Sequence, residues 1–159
     1  MSQAVLIINR TKKEYLNPHR FNDGYSVRNL LCNGYTARAL VLLLYRCSSN
    51  VLKEDGELIG SWAGDDIIIV GEGDKREAHD TQYSNIYAEA DKTYDDISAK
   101  VLEILLNHSV YDEQAIMDTL GEYGYNRKME HATGVEAECS TLYQDALTKM
   151  KTGDKHDGY

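Results

Sequence analysis

Two uninterrupted apolar blocks, Val5-Leu6-Ile7-Ile8 and Ile67-Ile68-Ile69-Val70, most constrain how this chain can fold. Neither alternates with polar residues, so each predicts a strand covered on both faces rather than one with a wet side. The first gives a strand over residues 4–10. The second gives one over residues 67–71, at the centre of a sheet. Leu58 to Trp62 is a third β-like run, and Ala63-Gly64-Asp65-Asp66 has the turn formers of a hairpin connection. A strand over residues 57–62 paired with 67–71 is the expectation.

The remaining apolar residues fall at helical spacing. Tyr35 to Cys47 is Leu-rich and apolar nearly all round, with Arg38 and Arg46 as exceptions, and predicts a buried helix over residues 35–47. Tyr94, Ile97, Val101 and Leu105 mark a stripe for a helix over 94–107, with Thr93 and Asp96 as a variant capping box. Ser109 to Asp112 repeats that pattern before a helix over 111–122. Val135, Cys139, Leu142, Tyr143, Ala146, Leu147 and Met150 form one stripe of a helix over 135–150. Gly71 to Asn85 is polar and aperiodic, and predicts a long exposed loop.

These segments make a single α+β domain with a small, mostly antiparallel sheet packed against one buried helix and several amphipathic ones. We expect residues 1–125 as the globular part, 126–150 as a C-terminal helical extension and 151–159 as a flexible tail. The extension either packs on the domain or provides a homo-oligomer contact. No apolar run reaches the ~20 residues of a bilayer-spanning helix. The run Ala4 to Ile8 is too short for a secretory signal, so a cytoplasmic protein without membrane contact is expected. Cys32, Cys47 and Cys139 lack metal-ligand or disulfide spacing and read as small buried hydrophobes.

The formal charge of −9 conceals a split. Residues 1–53 carry +6, residues 54–126 carry −14 and residues 127–159 carry −1. Such asymmetry means either an anion-binding face or two halves that pair when folded. An acidic chain is a poor fit to duplex nucleic acid, whose binding depends on cations that displace counterions.

A small anion is better matched to the basic loop of Lys12, Lys13, His19, Arg20 and Arg28, followed by Asn33-Gly34-Tyr35-Thr36 where the buried helix opens. The unpaired N–H groups of a helix start attract phosphate or carboxylate, although Asn33 or Thr36 also reads as an ordinary cap. Trp62 and Asp65 add an aromatic and a polar contact in the Ser61-Trp62-Ala63-Gly64-Asp65 turn, and tryptophan suits a half-wet interface. Asp65 and Asp66, alone or with Glu72 and Asp74, offer carboxylate oxygens to a divalent ion, although an exposed hairpin turn explains the same residues better. Gly71-Glu72-Gly73-Asp74-Lys75-Arg76 starts like a dinucleotide turn, but Arg76 stands where glycine is required. Asp95 and Asp96 read as first-turn carboxylates of the helix over 94–107. His79-Asp80 lacks the further ligands of a phosphohydrolase centre.

The stretch Ile8-Asn9-Arg10-Thr11-Lys12-Lys13-Glu14-Tyr15-Leu16-Asn17-Pro18-His19-Arg20-Phe21-Asn22-Asp23-Gly24 and the turn Gly60-Ser61-Trp62-Ala63-Gly64-Asp65 resemble a group of small bacterial and phage proteins without an established activity. The likeness spans residues 5–73 and the Asp95-Asp96-Ile97-Ser98 segment. It implies a microbial or viral accessory protein and no catalytic residue. The expectation is a non-enzymatic binding protein, needing no cofactor, that contacts a protein or holds a small anionic, phosphate-containing ligand. The alternative is a metal-dependent phosphoester hydrolase using Asp65, Asp66 and His19 or His79.

Overall fold

A computed structural model describes residues 4–21, 35–46, 58–76, 78–108 and 134–152. Strand β1 (Val5–Asn9) is the hub: every residue in it is buried. It pairs antiparallel with β2 (Glu14–Leu16) on one side and β3 (Ile67–Gly71) on the other. A short β4 (Asp95–Asp96) joins β2 in parallel, giving the order β3-β1-β2-β4. The four-residue connection Arg10–Lys13 closes the β1–β2 hairpin, with Lys13 at φ 56° in the left-handed region.

Alternation along β1 sends side chains to two separate cores. Ile7 and Leu16 face the layer built by α1 (Tyr35–Leu44), α3 (Ser98–His108) and α4 (Val135–Thr152), together with Phe21 and Trp62. Leu6, Ile8, Tyr15 and Val70 face α2 (Ile86–Thr93), meeting Ile86, Ala90 and Tyr94. The two-sided cover read from Val5–Ile8 is thus present, in an α+β domain with helices on both faces of the sheet.

Local chemistry sets the helix starts. Asn85 accepts a hydrogen bond from the Ala88 amide (2.8 Å) and caps α2. Asp96 Oδ1 accepts from the Ser98 amide (3.0 Å) just before α3, and the buried Ser98 hydroxyl accepts from the Asn17 amide (2.9 Å). That second bond ties α3 to the 3-10 turn Pro18–Phe21, whose Phe21 ring lies in the core. On α4, Cys139 and Tyr143 pack into the same core, and the Tyr143 hydroxyl donates to the Arg20 carbonyl (3.2 Å). The apolar stripe expected to serve a homo-oligomer is, at those positions, packed on the chain's own core.

Several expectations are corrected. Residues 58–64 are consecutive turns and not a strand, so β3 has no hairpin partner there. The Gly60 and Trp62 amides instead donate to the Leu42 and Leu43 carbonyls (both 2.9 Å), groups that a helix end leaves without partners. Gly60, at φ +71°, makes this approach. Strand β3 lies at the edge of the sheet rather than its centre, and Ile69 is half exposed. Helix α1 ends at Leu44 and is buried on one face only, through Thr36, Ala39 and Leu43. The helix over 94–107 begins at Ser98, because Tyr94 caps the end of α2 and Asp95–Asp96 form β4. The helix over 111–122 and the tail beyond residue 152 lie outside the described residues. Among the described residues no helix is long and apolar enough to cross a membrane.

Candidate functional site

The basic hairpin loop and the Ser61–Asp66 turn, fifty residues apart in sequence, meet at the end of β1. Asn9 is fully buried there. Its side-chain amide donates to Asp65 Oδ2 (2.8 Å), while its Oδ1 accepts from the Lys12 amide (2.9 Å). Lys12 Nζ donates to the Ser61 carbonyl and sits 3.0 Å from Asp65 Oδ2. Arg10 Nη2 lies 2.6 and 2.8 Å from the two Asp66 oxygens, its amide donates to the Asp66 carbonyl (2.9 Å), and the Asp66 amide donates to the Thr11 hydroxyl (3.0 Å). Below them, Trp62 Nε1 donates to Glu14 Oε2 (2.8 Å).

This is a clasp whose positive half comes from residues 10–12 and whose negative half comes from residues 65–66. A third pair, Arg20 Nε and Asp96 Oδ2 at 3.5 Å, joins the 3-10 turn Pro18–Phe21 to β4. Among the described residues, three cations of residues 1–53 thus pair with carboxylates of residues 54–126. The Asn9 amide and the Lys12 ammonium both favour the Asp65 anion and hold its pKa below the ordinary carboxylate value. Tyr15, paired with Asp96 in the β2–β4 register, has its hydroxyl pKa raised by burial first and by the Asp96 and Asp91 carboxylates next.

A depressed carboxyl pKa contributes stability that is fully present above the unfolded value of about 3.9 and disappears as pH falls through the lower folded value. Asp65→Asn should therefore be less stable than the parent at neutral pH. The gap should begin to narrow near pH 4 and close below the folded pKa. Denaturant titrations at a series of pH values measure it, and a gap independent of pH down to about pH 2 would contradict the assignment.

The expected site residues scatter when placed. Lys12 and Asp65 meet in the clasp, and Lys13 is exposed on its rim, its carbonyl taken by the Asp95 amide (3.0 Å). Arg20 lies at the Asp96 pair, and His19 lies in the 3-10 turn, its amide held by Asn17 Oδ1 (3.1 Å). Thr36 is buried in the first turn of α1. Trp62 has no exposed surface at all: the anticipated stacking platform is a core residue. Arg28, Asn33 and Gly34 lie outside the described residues, as do Cys32 and Cys47.

The carboxylates of Asp65 and Asp66 are occupied by a lysine and an arginine, which compete with any cation. Glu72 and Asp74 lie past the far end of β3, and the His79 amide is fixed by buried Glu89 Oε2 (2.7 Å). Among the described residues no group of three or more His, Cys, Asp or Glu side chains is placed to hold a metal ion. Asp95 and Asp96 belong to β4 and not to a helical first turn.

Asn9, Arg10, Thr11 and Glu14 are the participants that sequence reading missed. A polar residue closing an apolar run, followed at once by a basic turn, is the available signal for Asn9. No family model matches this chain, and no curated protein or solved structure matches it either.

Proposed function

We propose that this chain is a non-enzymatic protein-interaction module, an accessory protein of microbial or phage origin. The observation that carries this reading is on α1. Val41 and Leu44 are 67% and 44% exposed and, with exposed Ala37, fall at i, i+4 and i+7 along one helical face, and Tyr45, 48% exposed, follows directly after the helix end. Scattered apolar residues on a surface are ordinary, whereas a contiguous stripe opposite the buried face is the form that partner helices and grooves recognise. The pairing of Arg10, Lys12 and Arg20 with internal carboxylates favours protein contact over capture of a small anion, since those cations already have counter-charges.

The test compares the parent with a Val41→Asp/Leu44→Asp variant, both immobilised and exposed to extract of the source organism. A captured protein is then purified and titrated against each. Loss of at least about tenfold in affinity in the variant, with an unchanged melting curve, is expected. Equal affinity, or saturable stabilisation of the parent by inorganic phosphate or a nucleotide, would overturn the reading.

A further inference from the structure

A single peptide group joins the basic hairpin loop to the end of α1. The last carbonyls of a helix have no partners within it, and those of Leu42 and Leu43 are taken by the amides of Gly60 and Trp62 (both 2.9 Å). The Ser61 carbonyl belongs to the same peptide plane as the Trp62 amide, and it accepts from Lys12 Nζ. Among the described residues no peptide bond is cis, so the C=O and N–H of that plane point in opposite directions and cannot turn independently. Lys12 therefore sits on one side of a rigid plate and Leu43 on the other. Asp65 Oδ2, 3.0 Å from Lys12 Nζ, keeps the ammonium in place, and the Asn9 amide keeps Asp65 (2.8 Å). Gly60, the other donor, approaches the exit of α1 so closely that a Cβ on it would stand 2.5 Å from the Tyr45 backbone oxygen.

We infer that Lys12 is a positioning residue for the exposed end of α1: by holding the Ser61–Trp62 peptide plane it fixes the cap on Leu43, and with it the placement of Leu44 and Tyr45. Two physical effects act in the same direction. An ammonium on the carbonyl polarises the peptide group and strengthens its N–H as a donor to Leu43. It also opposes rotation of the plane, since any turn that takes the N–H away from Leu43 takes the C=O away from Lys12. Burial of the Trp62 side chain fixes where the turn enters the core, but not the tilt of the peptide plane before it. The neighbouring Arg10–Asp66 pair touches neither atom of that plane. The two ion pairs of the clasp thus differ in role: Arg10–Asp66 closes the approach to β3, while Lys12–Asp65 reaches through Ser61 to a helix end. The bearing of this on a partner rests on the α1 surface proposed above, whereas the coupling between loop and helix end does not.

Amide hydrogen exchange on the full chain tests the coupling with Lys12→Met, which keeps the aliphatic stem of an exposed side chain and deletes the ammonium. The Gly60 and Trp62 amides should exchange at least about fivefold faster than in the parent, while amides of the β1–β3 ladder keep their rates to within about twofold. Arg10→Met is the matched control: it removes the other ion pair of the clasp and should leave the Trp62 amide in step with the ladder. An unchanged Trp62 amide in Lys12→Met, an acceleration shared equally by the ladder, or the same local effect in Arg10→Met overturns the inference. Binding gives a second readout. The partner captured on the α1 face should lose about threefold or more in affinity for Lys12→Met, and less for Arg10→Met. A partner that loses affinity for Val41→Asp/Leu44→Asp but not for Lys12→Met overturns the link to that surface. A partner that binds Val41→Asp/Leu44→Asp as tightly as the parent sinks the α1 reading instead, and the exchange rates then decide the coupling by themselves.

Discussion

Replacing Trp62 by alanine is expected to cost about 3–5 kcal/mol and to lower the melting temperature by about 10 °C. The indole is the largest fully buried side chain in the protein, and it lies in the core between the sheet and helices α1, α3 and α4. Removing it opens a cavity that rigid neighbours such as Phe21 and Leu43 cannot fill without leaving their rotamers. It also strips the Glu14 carboxylate of its donor. Trp62→Phe separates the contributions: it keeps most of the volume and deletes the N–H, so it should lose a smaller part, on the order of 1–3 kcal/mol. Urea titration of the three proteins gives the ranking. An alanine variant within 1 kcal/mol of the parent, the scale of an ordinary surface change, would show that Trp62 is not the core anchor described here.

Gly60→Ala should be the next most damaging change, at about 2–3 kcal/mol, for two separate reasons. The residue sits at φ +71°, where a Cβ is strained, and that Cβ would lie 2.5 Å from the Tyr45 backbone oxygen. Relief requires the turn to back away from the end of α1, weakening the amide donations to Leu42 and Leu43 that cap the helix. Gly64→Ala is the matched control. Its φ is +84°, yet nothing lies within 4 Å of the added carbon, so only the backbone strain of about 1–2 kcal/mol is expected. Equal losses at the two glycines would mean that the contact with the helix end contributes nothing.

These two positions also show where sequence reasoning stops. The β-branched blocks located β1 and β3 correctly, because a run such as Val5–Ile8 has no polar residue to offer solvent. The same pattern could not tell a centre from an edge. Ile67–Val70 is apolar on both faces, but its position in the sheet is decided by which neighbour has a free ladder, and β1 uses its other side for β2. Leu58–Trp62 has strand-like side chains, while the left-handed Gly60 bends the chain toward a helix end instead. Polarity hid α2: Glu89, Asp91 and Lys92 mask a short buried face of Ile86 and Ala90, though Asn85 is a legible cap. Asp96 was recognised as a capping residue and placed at the wrong turn, since its amide-accepting oxygen serves Ser98.

The site follows the same division. Opposite charges in residues 1–53 and 54–126 disclosed that the two regions attract, and both members of the Lys12–Asp65 pair stood out in the sequence. The partner assignments and the burial of Asn9 depend on the hairpin bringing residue 9 beside residue 65, which spacing alone does not encode. Trp62 illustrates the reverse case: an aromatic in a polar turn suits an interface by composition, and burial is conferred by the helices that close over it.

The central claim is that the basic hairpin loop is one half of an internal clasp. A double-mutant cycle on Asn9→Ala and Asp65→Ala, read by urea denaturation at neutral pH, tests it most directly. Each single change should destabilise the protein, and the double variant should lose clearly less than the sum of the two, because both substitutions break the same 2.8 Å bond while each also removes its own contact with Lys12. Losses that simply add would mean that the two residues act independently, and the loop would again be a free cationic surface.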